Sequence, residues 1–241
     1  MKKIHLILAA ILIFCTIGNA QNLDWVKTYG GTQNDIGNLI KVDNSGNIYI
    51  LGSFLDKVKF DPSNNSSELT SRGVSTSDIF IQKLNPQGTH LWVKQVSSTR
   101  SLRGSGLGLD SLGNIYIVGN FDGVCDFDPD TGSHVLTTDN NFDNDPFFLK
   151  LDNAGNFLWV KRLESPRGGG IDALCFDVDE AGNLYTGGLF SANQVDFDPG
   201  PGTVFEFPGN RGSMFLHKLD ASGNFVWVKE LQGNEEDQIF G

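Results

Sequence analysis

A short pattern ending in Trp-Val-Lys recurs four times and makes this chain a tandem repeat. Its tryptophans are Trp25, Trp92, Trp159 and Trp227, at intervals of 67, 67 and 68 residues. This regular spacing overrides the usual expectation of one or two unrelated domains for 241 residues. The pattern constrains the fold strongly. It does not indicate a reaction or a ligand, because what recurs is the chemistry of strands, turns and packing.

Each repeat predicts two β-hairpins. The first has a tight turn in which Asp43 bonds backbone amides and Gly46 takes a left-handed conformation. The return strand of the second hairpin carries the tryptophan. Four antiparallel strands with alternating apolar and polar residues are the content of one propeller blade. We therefore expect an all-β fold of β-propeller blades, with three complete four-stranded blades at about 36–97, 103–164 and 171–232.

The repeat resembles the SBBP family of bacterial β-propeller repeats, and the resemblance covers residues 23–241. In the first copy it is carried by Asp43, Gly46, Asn47, Tyr49, Gly52, Asp78, Phe80, Lys83, Leu84, Gly88 and Trp92. The resemblance implies an exported or cell-envelope protein and frequently a part of a larger chain. It implies no particular catalytic activity.

The N-terminus predicts a secretory signal peptide over residues 1–20. Lys2 and Lys3 form a basic start, 4–17 is an almost continuous apolar run, and 18–20 is a small-residue cleavage site. The apolar run of about 14 residues is shorter than the roughly 20 that a spanning helix needs. We expect the mature chain, 21–241, to be secreted to the extracellular space or the cell envelope, with no transmembrane segment after signal removal.

Removal of that segment leaves 16 basic and 29 acidic residues, a formal charge of −13. An acidic surface repels nucleic acid, so no nucleic-acid partner is expected. An extracellular protein or a glycan remains as a partner.

The repeats are longer than usual blades because of inserts between the second and third strands, at about 55–77, 122–145 and 191–212. Strand alternation places all three inserts on one face, opposite the short Gly-Asn turns. Elaborated loops on a rigid repeat scaffold commonly bind partners, so this face is the candidate ligand-binding surface.

Two inserts carry acidic residues at alternate positions, a spacing that suits a hard cation such as calcium. The candidate metal ligands are Asp126, Asp128, Asp130, Asp196 and Asp198. The first insert has Lys59 and Ser63 at two matching positions and no downstream Glu completes a known calcium loop. In the other reading, the phenylalanine of each Phe-Asp-Pro packs under the loop and Asp-Pro fixes a turn. No cofactor is certain, and calcium remains open.

No catalytic residues are predicted. The tryptophans recur within a strand, which favours wedges between blades over sugar-stacking platforms. His90, His134 and His217 occupy unrelated repeat positions, and no nucleophile elbow, phosphate loop or zinc spacing is present. We expect a noncatalytic binding scaffold. The alternative is a catalytic propeller hydrolase acting on extracellular polysaccharide or peptide through a carboxylate pair.

The repeat count predicts an incomplete propeller. Trp25 marks a leading strand, and 233–241 reads as a partial repeat that begins a further blade. Closed propellers need about four blades or more. We therefore expect a fragment, with further blades from a missing C-terminal part or from another chain.

Overall fold

The computed structural model describes residues 24–61, 67–73, 76–138, 144–164, 170–191, 194–209 and 212–231. The predicted signal peptide and the partial repeat at 233–241 lie outside these residues. No helix in the described part of the chain is long and apolar enough to cross a membrane.

Three four-stranded antiparallel sheets, the blades, confirm the predicted all-β propeller architecture. Blade 1 contains β1 (Asp35–Val42), β2 (Ile48–Phe54), β5 (Asp78–Leu84) and β6 (His90–Ser98). Blade 2 contains β7 (Leu102–Leu109), β8 (Ile115–Phe121), β11 (Asp145–Leu151) and β12 (Phe157–Arg162). Blade 3 contains β13 (Ile171–Val178), β14 (Leu184–Phe190), β17 (Ser213–Leu219) and β18 (Phe225–Leu231). Among the described strands, no pairing joins blade 3 to blade 1.

The inserts form three small hairpins. They are β3 (Lys57–Lys59) with β4 (Glu68–Thr70), β9 (Val124–Asp126) with β10 (Val135–Thr137), and β15 (Val195–Asp196) with β16 (Phe205–Glu206). The second hairpin also pairs with the preceding blade, since Ser97 and Ser98 of β6 lie opposite Asp126 and Cys125 of β9. This pairing extends the sheet of blade 1 to six strands.

Each large hairpin closes with the predicted turn. Asp43 Oδ1 accepts hydrogen bonds from the backbone N–H groups of Ser45 and Asn47, both at 2.9 Å. Gly46 follows with φ of 80°, a conformation that costs glycine little. Burial opposes ionisation of Asp43, but bonds from Asn47, Ser45 and Tyr49 outweigh it and lower its pKa. The turn recurs at 85–89, 110–114, 152–156, 179–183 and 220–224, with Asn85 as the first residue in one case.

These turns and the inserts lie at opposite ends of the blades. The antiparallel register places the start of β1, the end of β2 and the start of β5 together, away from the turns. We call the two ends the turn end and the insert end. The first strands of neighbouring blades contact one another, β1 with β7 and β7 with β13, and so lie on the inner side of the molecule.

The hydrophobic core lies between blades. One buried cluster joins blades 1 and 2, and a second joins blades 2 and 3. Phe127 and Phe197 of the second and third inserts belong to these two clusters, and Phe60 of the first insert belongs to a third cluster formed by blade 1 and its insert. Phe127 is 0% exposed, and its ring centroid lies 5.2 Å from that of Phe121 and 4.9 Å from that of Phe147. Phe60 and Phe197 pack in the same way. The inserts are therefore anchored hairpins.

Candidate functional site

Trp92 and Trp159 lie between neighbouring blades at the turn end. Trp159 meets Tyr116 at a steep angle, with ring centroids 6.3 Å apart, and its indole N–H donates to the Ala221 carbonyl of blade 3 at 3.3 Å. The Lys150 ammonium donates to the same carbonyl at 3.0 Å and lies 4.7 Å from the Tyr116 ring centroid. The Trp159 and Lys150 side chains thus both contact the neighbouring blade, which supports a packing role for the tryptophan over sugar stacking.

An aspartate completes this arrangement. The Tyr116 hydroxyl donates to Asp110 Oδ2 at 3.2 Å, and the Lys150 ammonium lies 3.7 Å from the same oxygen. Burial, followed by the nearby Asp110 charge, raises the pKa of Tyr116. Burial lowers the pKa of Lys150, and Asp110 opposes that effect. The group recurs in all three blades, and we call it the latch: Tyr49, Lys83 and Trp92; Tyr116, Lys150 and Trp159; Tyr185, Lys218 and Trp227.

The acidic residues of the second insert are engaged in local turns. Asp126 Oδ1 accepts the backbone N–H groups of Asp128 and His134, at 3.2 and 2.8 Å. Asp128 Oδ1 accepts the N–H of Asp130 at 3.0 Å. Asp130 forms an ion pair with Lys94 of blade 1. These contacts tie the insert to itself and to the neighbouring outer strand.

The third insert repeats the turn. Asp196 Oδ1 accepts the N–H groups of Asp198 and Val204, and Asp198 Oδ1 accepts that of Gly200 at 2.8 Å. Among the described residues, no group of three or more His, Cys, Asp or Glu side chains is arranged to hold a metal ion. The calcium site stays a prediction, and calcium titration tests it: a higher melting temperature would support it, and an unchanged one would contradict it.

A groove opens at the insert end between the three blades. Two adjoining cavities, of about 750 and 570 Å³, share Asn38, Ser101, Arg103 and Gly104 in their lining. We call them together the central groove. The ends of the inserts contribute to its rim through Thr76, Ser77, Asp122 and Asn144. The predicted insert face therefore touches the groove mainly through the residues that flank the small hairpins.

Most residues that line the groove are polar, and Ile36, Leu102 and Leu174 are among the apolar ones. The Arg103 side chain is exposed, and its guanidinium makes no hydrogen bond or ion pair with any described residue. Asp172 of blade 3 lines the same cavity as Arg103. Asp122, in contrast, is buried and accepts a hydrogen bond from Thr138 at 2.9 Å, and it lies 3.4 Å from Arg100. No aromatic residue is among the described lining residues of either cavity.

The groove residues were missed by the repeat pattern because they do not repeat. Ile36, Arg103 and Asp172 occupy the same position in the first strands of blades 1, 2 and 3. The strand registers establish this equivalence, since they pair Ile36 with Ser53, Arg103 with Asn120 and Asp172 with Leu189. A sequence signal did exist, since this first-strand position changes between apolar, cationic and anionic residues while the residue after it stays small, as Gly37, Gly104 or Ala173.

The three described histidines occupy separate places. His134 stacks on Phe157 with ring centroids 4.8 Å apart, and His90 contacts Gln82 at 3.1 Å. His217 is 1% exposed and lies among aromatic rings. Burial lowers the pKa of His217 to about 4, with partial opposition from the Phe197 backbone. The three imidazoles are thus dispersed through the blades.

Comparison with known proteins agrees with this architecture. The family model of the SBBP beta-propeller repeat matches residues 91–121, which run from the outer strand of blade 1 to the second strand of blade 2. An uncharacterized WD repeat-containing protein, L264, of Acanthamoeba polyphaga mimivirus is 29% identical over 123 residues. That alignment covers 51% of this chain and 9% of the viral protein, so the chain spans a small part of its relative. Residues 91–121 are thus similar to an SBBP beta-propeller repeat, within a chain whose described strands form propeller blades.

Proposed function

We propose that this chain is an exported, noncatalytic scaffold that binds an extended segment of a protein partner in the central groove, in the extracellular space or at the cell envelope. The observation that carries the proposal is the Arg103 guanidinium, which is exposed and has no hydrogen bond or ion pair with the described residues, in a groove between three blades. A guanidinium offers several donors in a fixed plane, which suits carboxylate and carbonyl groups of a bound peptide.

The other groove residues favour a peptide over a glycan. The amide side chain of Asn38 lies along the same cavity, and amides can both donate to and accept from a peptide backbone. Asn120 lies nearby, and its Nδ2 donates to the Ile171 carbonyl at 3.0 Å. Carbohydrate sites commonly use aromatic faces, which the described lining does not provide. Export is supported by the basic, apolar and small-residue order of residues 1–20.

The hydrolase alternative stays a prediction. A retaining or inverting glycosidase needs two carboxyl groups placed about 5 to 10 Å apart across the bond that breaks. Of the two carboxylates in the described lining of the groove, Asp122 and Asp172, the first is held by Thr138 and Arg100, which favours a structural role for it. No observation favours turnover over binding.

Selection from a displayed peptide library, followed by titration of the selected peptides, tests the proposal. Arg103→Glu should weaken binding at least about tenfold, because loss of a hydrogen bond to a charged group costs about 1.5–3 kcal/mol. Lys41→Glu is the matched control, since Lys41 is an exposed cation near the turn end of blade 1 and should leave affinity unchanged. Equal affinity of the Arg103→Glu variant, or binding of glycans alone, would contradict the proposal.

A further inference from the structure

The latches of blades 1 and 2 reach the same point on the following blade. The Lys83 ammonium donates to the carbonyl of Asn153 at 3.2 Å, and the Lys150 ammonium donates to the carbonyl of Ala221 at 3.0 Å. Asn153 and Ala221 are each the second residue of the following blade's outer turn, 152–156 or 220–224. The latch is therefore a receptor for one defined element, the outer turn of the next repeat.

Glycine at the fourth position lets the outer turn pack closely against this receptor. A Cβ on Gly155 would lie 3.0 Å from the Lys94 side chain and 3.3 Å from the Trp92 ring, and one on Gly223 would lie 3.1 Å from the Lys161 side chain and 3.2 Å from the Trp159 ring. Both glycines also have positive φ, of 84° and 76°. The receptor thus recognises a carbonyl at the second turn position and the absence of a side chain at the fourth.

Blade 3 carries the same receptor in an assembled form. The Lys218 ammonium lies 4.7 Å from the Tyr185 ring centroid, and that ring centroid lies 6.4 Å from that of Trp227. The Tyr185 hydroxyl donates to Asp179 at 3.3 Å. Among the described residues, however, no turn accepts a hydrogen bond from Lys218. Tyr185 is only half-buried, whereas Tyr49 and Tyr116 are 0% and 1% exposed.

The outer turn of blade 1 is already occupied. A Cβ on Gly88 would lie 2.9 Å from the Trp25 ring, so Trp25 covers this turn as Trp92 and Trp159 cover the next two. Residues 24–30 also keep the register of an outer strand. The bridge of Gly30 to Lys59 lies five residues after Trp25, and the pair of Ser97 with Asp126 lies five residues after Trp92. A second copy of the chain therefore offers no free turn on its first blade.

We propose that the blade 3 latch binds the outer hairpin of one further propeller repeat of this type. Its turn has the form Asp-x-x-Gly-Asn, with the carbonyl of the second residue accepting from Lys218 and from the Trp227 indole. This contact would continue the interfaces of blades 1 and 2 and of blades 2 and 3, and it is independent of ligand binding in the central groove. The contact would bury Tyr185 and Lys218 as their counterparts in blades 1 and 2 are buried, and it would cover one side of Trp227, as Trp92 and Trp159 are partly covered.

Chemical labelling of lysine amines in an extended chain tests this inference. A second copy of residues 107–164, which contains the turn 152–156, is joined after Gly241, and the labelling of Lys218 is followed by mass spectrometry. Lys83 and Lys150, 6% and 7% exposed, are internal references for a covered latch. We expect Lys218 to label readily in the original chain and to lose its labelling in the extended one. Continued labelling of Lys218 in the extended chain would overturn the proposal.

A control variant of the extended chain carries Gly155→Ala in the added repeat only, and Lys218 should stay reactive in this variant.

A second measurement does not depend on folding of the added repeat. In the original chain, Lys150→Met should lower the melting temperature, whereas Lys218→Met should leave it unchanged. An equal loss in both variants would mean that the blade 3 latch is already engaged, and would overturn the proposal.

Discussion

His217 makes the stability of blade 3 depend on pH. Its imidazole lies within about 6 Å, centroid to centroid, of the rings of Phe148, Phe197 and Phe225, and its side chain is 1% exposed. Burial lowers its pKa from 6.5 to about 4. The folded chain therefore binds a proton less readily than the unfolded chain, and stability is complete above about pH 6.5 and is lost as the pH falls toward 4.

The size of the effect follows from linkage. At pH 5 the unfolded imidazole is almost fully protonated and the folded one is almost fully neutral, which removes about 2 kcal/mol of stability relative to pH 8. His217→Leu should abolish this loss. Leucine suits the site because His217 lies opposite Thr186 in blade 3 just as Leu149 lies opposite Ile117 in blade 2.

Denaturant unfolding of the original chain and of the His217→Leu variant at pH 8 and pH 5 measures this pH-dependent loss of stability. The stability gain from His217→Leu should be larger at pH 5 than at pH 8 by about 2 kcal/mol. Leu149→Ala is the control, since it leaves a cavity at the matching position of blade 2 and adds no titrating group. Its cost should be the same at both pH values. An equal gain from His217→Leu at the two pH values would refute the reasoning.

Three further substitutions test the packing. Trp159→Ala should lower the free energy of unfolding by about 3 kcal/mol, because it removes both the contact with Tyr116 and the bond to Ala221, and calorimetry would measure this. Phe127→Ala should cost about 3–5 kcal/mol in denaturant unfolding, since the ring is wholly buried; a loss under 1 kcal/mol would show that the insert is not anchored. Asp56→Gly should raise stability by up to about 1 kcal/mol, because Asp56 has φ of 67° where blade 2 has Gly123; a lower melting temperature would contradict this.

The turns explain why the fold could be predicted from sequence. An Asp that bonds the amides two and four residues ahead and a Gly with positive φ are local requirements, so they are visible in a single repeat. Repetition then supplies the strand count and the register. The burial of Phe127 was one of two interpretations of the insert. A Phe-Asp-Pro segment in the sequence is equally compatible with an anchored loop and with an exposed acidic loop.

The central groove could not be predicted because its members come together only through packing of three blades. Ile36, Arg103 and Asp172 lie about 67 to 69 residues apart in sequence, and each is the second residue of a first strand. Their chemistry also differs between copies. A search for recurrent residues discards such positions, and a search for variable positions on the inner strands would retain them.

The division between repeated and unrepeated residues separates two kinds of interface. The latch is the same in every blade, so its recognition must be generic: any following turn with a free carbonyl and a glycine fits. The groove position is Ile36, Arg103 and Asp172 in successive blades, and three different side chains around one space create an asymmetric surface. Packing between equivalent blades would require equivalent residues at this position. The differing side chains at the insert end are therefore better explained by contact with a ligand. A variant that makes this position uniform should therefore retain its melting behaviour and lose ligand binding.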